Sequence, residues 1–591
     1  MCRRRNETDT QLGMANARNC QKGGYQQMKR KYVAGIAVAA AVVVAGGTYA
    51  GVASAGASKT TTSLPGQASI SSGTTLTVCS NPTPSWQDNF NPFDSSALGG
   101  TIGNVYQPLF YFDSVTGKQF NLLGTSFKFS DDNKTLTVQL RPNAKWQDGK
   151  TFSSTDVVFT FMELKRYPDA DTNGIWQQLT SVKAAGPHTV VFQFKTANIP
   201  FAETYVLGST YIVPEAQWKS LGDPTQAKIT SQNAIGTGPF KVSYFSPQDY
   251  KFTANPLYYG GKPKVQTLSY PAYGGNQGAD LALASGQIQY GGIDIPNIET
   301  TFVKADPAHN HYYFPPSEPV ELYPNLHNPL LAQLPVREAI NDAINRNVLS
   351  TKGETGYEKP GTPTSLVLPN DQAWEAPDLT PSEKAFTVND KLAVQTLEKA
   401  GFHRGSDGIF EKNGQKLSFD LLTVSGWSDW DEDALLIKQQ LQQIGIAVQV
   451  DQKDYAAYYN LIDPGKGQIP KYALAISWTN TGPTPYTTYY DMLDTNGNFN
   501  LEGFHNAAVD AALSNYSATT NLAQQKKDLY KVEHIVAQQL PVICLLDGAL
   551  WYEYNDSQFT GFPTKQNLWI YPSPDSPLPA SIVLSQLKPR T

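Results

Sequence analysis

Leu122 to Lys165 reads LLGTSFKFSDDNKTLTVQLRPNAKWQDGKTFSSTDVVFTFMELK, and the order of signals within it decides the fold. Leu136 to Leu140 alternates apolar and polar residues, the period-two pattern of a half-buried strand. Asp148-Gly149 marks a turn. Ser153 followed three residues later by Asp156 is a capping box, predicting an amphipathic helix to about Arg166. Strand, turn and capped helix in one short run predict a mixed α/β chain.

Outward from this stretch the same alternation continues. Leu76–Cys79 and Val190–Phe194 read as strands, Asn91-Pro92-Phe93 as a loop, and Ile235 to Phe240 (IGTGPF) as the opening of another strand. Pro335 suits a first helical turn, with Val336, Ala339, Ile340, Ala343 and Ile344 on one face. Asn389 caps a helix that stops at Gly401, and Glu432 to Ile444 forms another, stopped by Gly445 and followed by the strand Ile446–Val450. Tyr472 to Trp478 is apolar enough for a central strand. Helices near 507–515 and 522–539 lead to a strand around Val542. At 591 residues the chain exceeds one core, so two or more lobes are expected.

The N-terminus carries a different message. Lys29-Arg30-Lys31 precede an apolar run from Val33 to about Val44, and Ala53-Ser54-Ala55 follows, the pattern of a secretory signal. Met28 is an alternative start. Apolar residues continue to about Ala57, so a retained membrane anchor stays open beside cleavage. Residues 58–72 read as a Ser/Thr-rich tether. Cys79 lies too far downstream for lipid attachment. Eight Lys/Arg and two Asp/Glu lie before residue 56. Of the chain's 46 basic and 52 acidic residues, 38 and 50 remain after it, a net of about −12. That charge opposes nucleic-acid and anionic-lipid partners. Cys79 and Cys544 permit one disulfide or stand as two buried small hydrophobes.

Motifs for chemistry fall away on inspection. Asp148-Gly149-Lys150-Thr151 would need a glycine at position 144, which is Ala144, so no phosphate loop forms. Gly236-Thr237-Gly238 lacks the third glycine of a dinucleotide turn and reads as strand entry. His309 and His311 have no third ligand at metal spacing, and no cofactor is implied. Asp429, Asp431, Glu432 and Asp433 crowd a helix start, where they complement its dipole better than they would serve acid–base catalysis. Aromatic residues are the stronger signal. Trp427, Trp430, Trp478 and Tyr486, with Tyr489-Tyr490, fall at strand ends or loops, where flat rings can receive peptide side chains or sugar faces.

The opening stretch, with Asp132, Leu140-Arg141, Trp146, Asp148-Gly149 and Asp156-Val157 in order, resembles the signature of family-5 solute-binding proteins. These are the dipeptide, oligopeptide and nickel receptors of ABC importers. NVYQPLFYFD, IGTGPFKV, PVREAINDAINRNVL, IKQQLQQIGIAVQV and LPVICLLDGALWYEYNDSQFTGFP extend the likeness from about Leu76 to the C-terminus.

The resemblance implies a two-lobed α/β periplasmic-binding fold with an extra small subdomain. Lobe I would span 73–300, with the subdomain at about 115–230; lobe II would span 301–530, and 531–591 would return to lobe I. It implies a receptor without enzymatic activity, exported, associated with the membrane only through its N-terminal segment if that segment is uncleaved, and handing a short oligomer to membrane permease subunits. Candidate ligand contacts are Trp427, Trp478, Tyr486 and Trp551 for stacking, Asn480 and Thr481 for polar bonds, and the loop Asn89–Asn91 near the opening. In peptide-binding relatives an Asp shortly after the strand-ending Trp holds the α-ammonium; here Thr481 takes that register and no carboxylate comes before Asp491. Oligopeptide and neutral oligosaccharide both remain open as ligand.

Overall fold

The computed structural model describes residues 75–590 except 81, 95, 275, 294, 296, 426, 454, 464–468 and 498. The leader and tether read from sequence lie outside the described residues.

The signature stretch folds as a separate small layer. Gly124–Phe129, Thr135–Leu140, Thr189–Phe194 and Leu179–Gly186 form a four-stranded antiparallel sheet in that order. Helix Ser154–Arg166 packs on it through Val157, Phe161 and Leu164. Asp156 is the knot of this subdomain. Its carboxylate accepts the N–H of Ser153 at 3.0 Å, the N–H of Glu215 at 3.1 Å and the indole N–H of Trp146 at 3.4 Å. One acid thus closes the cap, fixes the buried Trp146 and ties down a later segment. The signature is therefore a scaffold element.

IGTGPF earns its glycines by close approach. A Cβ on Gly236 would lie 1.9 Å from the Val105 carbonyl oxygen, and one on Gly238 would lie 2.2 Å from that of Asn104. The segment runs flat along residues 104–105, with Gly238 N–H donating to Val105 O at 2.9 Å, and then enters strand Phe240–Ser246.

Two larger sheets define the lobes. Sheet I has the order Asn310–Tyr312, Glu553–Asn555, Tyr290–Gly291, Thr75–Cys79, Thr267–Pro271, Asp249–Ala254 and Phe240–Ser246, with Thr75–Cys79 parallel to both its neighbours. Sheet II has the order Lys359–Pro360, Ile543–Ala549, Pro316–Pro324, Leu474–Trp478, Ser418–Val424 and Ala447–Lys453. Apolar cores follow the same division. One draws on residues between Val320 and Leu546, another on residues from Leu76 to Tyr290 together with Tyr552 to Leu587.

The chain crosses between the sheets at 313–315 and again at 550–552. The crossings lie side by side: Tyr313 N–H donates to Tyr552 O at 3.1 Å and Leu550 N–H to Pro315 O at 2.9 Å. These positions replace the sequence-based boundaries at 300/301 and 530/531. Residues 310–312 still pair with Glu553–Asn555 in sheet I. Helix Leu522–Gln539 buries Leu529, Val532 and Val536 in the core of lobe II, and strand Ile543–Ala549 pairs there with Pro316–Pro324. The subdomain core reaches from Leu109 to Ile212.

The helix expected from Glu432 begins earlier, at Ser428, which puts Asp429 and Asp431 in its first turn at the positive end of its dipole. No helix among the described residues is long and apolar enough to cross a membrane.

Candidate functional site

Strand Leu474–Trp478 is central in sheet II and almost fully buried until Trp478, where it emerges. Below the emergence, Thr479 donates its hydroxyl to Glu321 Oε2 at 2.9 Å, and Tyr323 donates to the same oxygen at 3.1 Å. Glu321 is wholly buried, which raises its carboxyl to about 7. This polar base holds the loop that leaves the strand.

Aromatic rings gather over it. Trp427, at the N-cap of helix Ser428–Gln443, stacks on Trp478 with centroids 5.8 Å apart and planes 28° from parallel. Trp430 meets Trp478 at 5.5 Å, and Tyr459 meets it edge-on at 6.4 Å. The fold thus brings Trp427 and Trp478 together, half-buried, with two further rings behind them.

Tyr486 sits in a second stack, between Tyr490 at 5.6 Å and Tyr516 at 4.6 Å. It is only 8% exposed, so Tyr490 rather than Tyr486 presents the open face. Trp551 stands apart at the second crossing, packed on Phe314 at 4.8 Å and Tyr357 at 5.9 Å. It belongs to the hinge and not to the Trp427–Trp478 group.

Among the polar candidates, Asn480 is exposed and donates to Asp491 Oδ2 at 3.0 Å, and Thr481 is half-buried beside it. Helix Tyr486–Leu493 turns the chain back on itself and delivers Asp491, so a carboxylate does stand beside the Trp478 loop. Burial raises the Asp491 carboxyl, and Asn480 partly offsets the rise. Sequence distance hid this acid; the helix signal after Pro485 could have revealed it.

Asn89 and Asn91 are used inside lobe I. Asn89 donates to Asp94 and Ser96, while the buried Asn91 donates to the carbonyls of Pro224 and Ala227 and accepts from Phe93 N–H. Asn91 supports its own turn, with both amide hydrogens engaged by backbone carbonyls.

Lobe I contributes groups the sequence reading missed. The π-helical segment Ala202–Leu207 brings Tyr205 close enough to Asp491 to sense its charge, and Glu203 close enough to influence Tyr516. Glu203 is pushed to about 7 by burial alone. Gly117 lies against the Pro483 carbonyl, and Asn133 donates to Ala518 O at 2.8 Å, so the small subdomain touches the same rim of lobe II. His309 and His311 diverge towards Asp306 and Asp556.

Two lobes joined by paired crossings, with rings and hydrogen-bonding groups where their rims meet, describe a clamp. The sequence profile of the bacterial extracellular solute-binding proteins, family 5 (middle region), matches residues 120–500. The chain belongs to this family. The family-5 protein is similar to the oligopeptide-binding protein AppA of Bacillus subtilis, at 26% identity over 455 residues, covering 74% of this chain and 80% of AppA. It is similar to a putative ABC transporter peptide-binding protein of Brucella ovis, at 27% over 461 residues, covering 74% and 81%. Among solved structures, its fold resembles the periplasmic oligopeptide-binding protein of Thermotoga maritima, with TM-score 0.78 and 23% identity over 88% of this chain and 99% of the other. The same Thermotoga protein bound to mannohexaose gives TM-score 0.71 at 23% identity over 88% and 100%. AppA in complex with a nonapeptide gives 0.66 at 21% over 88% and 99%. The two-lobed α/β architecture is that of this family.

Proposed function

We propose that this protein is the extracytoplasmic receptor of an ABC importer, which encloses a short oligopeptide between its lobes and passes it to membrane permease subunits. The observation that carries the peptide reading is Asp491. It is a largely buried carboxylate, held by Asn480 at the mouth of the Trp478 loop, with Tyr205 of the other lobe near it. A buried ammonium without a counter-charge would cost several kcal/mol, roughly what excludes such a ligand, and Asp491 supplies that charge. Trp427 and Trp478 form the stacking face, and Asn480 and Thr481 supply polar contacts. The curated relatives that are named for peptides support this reading.

The receptor binds and releases without chemistry, as a clamp does whose ligand touches both halves and so favours the closed state. Export through the N-terminal leader places it outside the cytoplasm, and its acidic surface turns away nucleic acid.

A neutral oligosaccharide is the second reading, favoured by the near-parallel Trp427–Trp478 faces and by mannohexaose in the Thermotoga relative. Thermal-shift titration with peptide pools and with oligosaccharides separates them. A ligand at about 100 times its Kd stabilises the folded state by roughly 2.7 kcal/mol. Peptides should raise Tm; a rise with oligosaccharides alone would replace the first reading with the second.

A further inference from the structure

The small subdomain reaches lobe II through two of its hairpin turns, and both turns are pinned from within. The first joins Phe110–Phe112 to Gln119–Asn121. Its buried Asp113 accepts the N–H and the hydroxyl of Thr116 on one oxygen, at 2.7 and 2.8 Å. The other oxygen accepts the Tyr571 N–H at 2.6 Å, which fixes the turn to the C-terminal part of lobe I. Gly117, at φ +65°, forms the tip. The second turn joins Gly124–Phe129 to Thr135–Leu140. There Ser130 donates its hydroxyl to Asp132 at 2.6 Å and accepts the Thr135 N–H at 2.9 Å. Asn133, at φ +53°, takes the left-handed position that asparagine tolerates better than most side chains.

The two tips meet one connected piece of lobe II. Asn133 donates its amide to the Ala518 carbonyl at 2.8 Å, and a Cβ on Gly117 would lie 3.4 Å from the Pro483 carbonyl oxygen. Ala518 is the C-cap of helix Ala507–Ser517, where the last carbonyls have no partner within the helix and form the negative end of its dipole. An amide donor suits that position. Pro483 belongs to the loop that leaves Trp478. Tyr516, two residues before Ala518, ties the two seats together: its hydroxyl meets Thr484 Oγ1 at 2.8 Å and its ring stacks on Tyr486 at 4.6 Å. The same loop carries Asn480 and Thr481, the polar ligand contacts proposed above. Thr488 donates to Asn480 O at 3.1 Å and so holds the loop to helix Tyr486–Leu493.

We propose that the two hairpin turns of the small subdomain are the latch of the clamp, with Asn133 the positioning residue that engages lobe II when the lobes close. Asn133 bonds to backbone at the seat, so it acts on affinity through the closed state. A ligand that orders residues 479–485 steadies the seat at Pro483 and, through Tyr516, at Ala518; by reciprocity, an intact latch tightens the ligand. The proposal rests on the two-lobed clamp above and holds for peptide and sugar alike.

The test reads the distance between lobes by pulsed electron paramagnetic resonance on the full protein without added ligand. Spin labels go on Lys183→Cys in the small subdomain and Lys527→Cys in lobe II, both exposed, while the buried Cys79 and Cys544 stay unlabelled in the folded protein. Asn133→Gly keeps the left-handed backbone and removes the donor. Asn133→Asp keeps the shape and sets a negative charge against the helix C-terminus. Both should move the labels to longer distances, the aspartate further, with Tm unchanged within about 1 °C. Affinity for a mixed pentapeptide pool, or for mannohexaose where only the sugar binds, should fall about fivefold in Asn133→Gly, the scale of one hydrogen bond net of water. Ser130→Ala loosens the same turn from inside and should leave the distances as in wild type. Unchanged distances in Asn133→Asp, or equal opening in Ser130→Ala, overturn the latch. Failure of the peptide pool to bind, with the distance shift present, overturns the peptide reading and leaves the latch standing.

Discussion

Replacing Trp478 with alanine separates a ligand platform from ordinary core packing. The indole touches three rings, Trp427, Trp430 and Tyr459, at centroid distances of 5.8, 5.5 and 6.4 Å. Such pairs are worth about 0.5–1.5 kcal/mol each, so truncation should cost roughly 2–4 kcal/mol of folding stability. Lobe II retains the rest of its core, and the variant should unfold cooperatively a few degrees lower. If the ring also receives ligand, binding loses a further 2 kcal/mol or more, about a 30-fold rise in Kd. Trp176→Ala is the control. That ring is half-buried in the small subdomain, its N–H donates to Phe161 O at 2.7 Å, and Lys165 lies 4.3 Å over its face. It should lose stability on a similar scale and keep its affinity. Calorimetry with the peptide pools at 25 °C, paired with thermal unfolding, reads both quantities. A Kd within threefold of wild type in Trp478→Ala, alongside a lowered Tm, would refute the platform and leave the rings as packing.

Stability should rise on mild acidification. Glu318, Glu321 and Glu203 are raised to about 7 by burial, so the folded state binds more protons than the unfolded one between about pH 4.5 and 7. Stability therefore falls as pH climbs through that window, and His534, raised by Glu383, acts in the same direction. Tm at about pH 5.5 should exceed that at pH 8 by roughly 3 °C or more, and a flat or inverted profile by calorimetry would contradict the buried carboxyls. Gly236→Ala forces a Cβ to within 1.9 Å of a carbonyl oxygen and should cost about 3 kcal/mol or more, seen as a lowered denaturant midpoint. Cys79 and Cys544 are free and buried in different sheets, their thiols pushed up by burial, Cys79 to about 12. Both should resist iodoacetamide in the native protein and react after denaturation without reductant; unreactive sulfur in the denatured state would reveal a disulfide instead.

What the sequence disclosed follows the range of each interaction. The capping box Ser153/Asp156 and the strand Thr135–Leu140 were legible because their signals are local. The turn at Gly236–Gly238 was legible as a turn, but its cause, the backbone of residues 104–105, lies far away in the chain. The crossings were misplaced because PVICLL reads as a buried strand in either lobe; membership of sheet II is decided by pairing with Pro316–Pro324. Tyr486 and Trp478 look alike in sequence, two aromatics near a strand end. One is covered by its own stack, the other is half-open. Asp491 was discounted by its distance from Trp478 along the chain, a distance that one short helix removes.

The placement of uncompensated acids bears on how such a clamp discriminates. Its paired crossings, bonded Tyr313 to Tyr552 and Leu550 to Pro315, are the short segments through which a hinge between the two sheets would act. At the rim, the bond from Asn133 to Ala518 is exposed, worth about 1 kcal/mol net by the usual exchange with water. Against that small gain stand Glu203 and Glu318, half-buried side chains whose carboxyls are raised to about 7 chiefly by burial. On the proposed reading, closing empty gains little. On the proposed reading, a ligand that stacks on Trp478 would supply most of the free-energy difference that shuts the lobes. Selectivity and closure would then be the same event, and Trp478→Ala should weaken both.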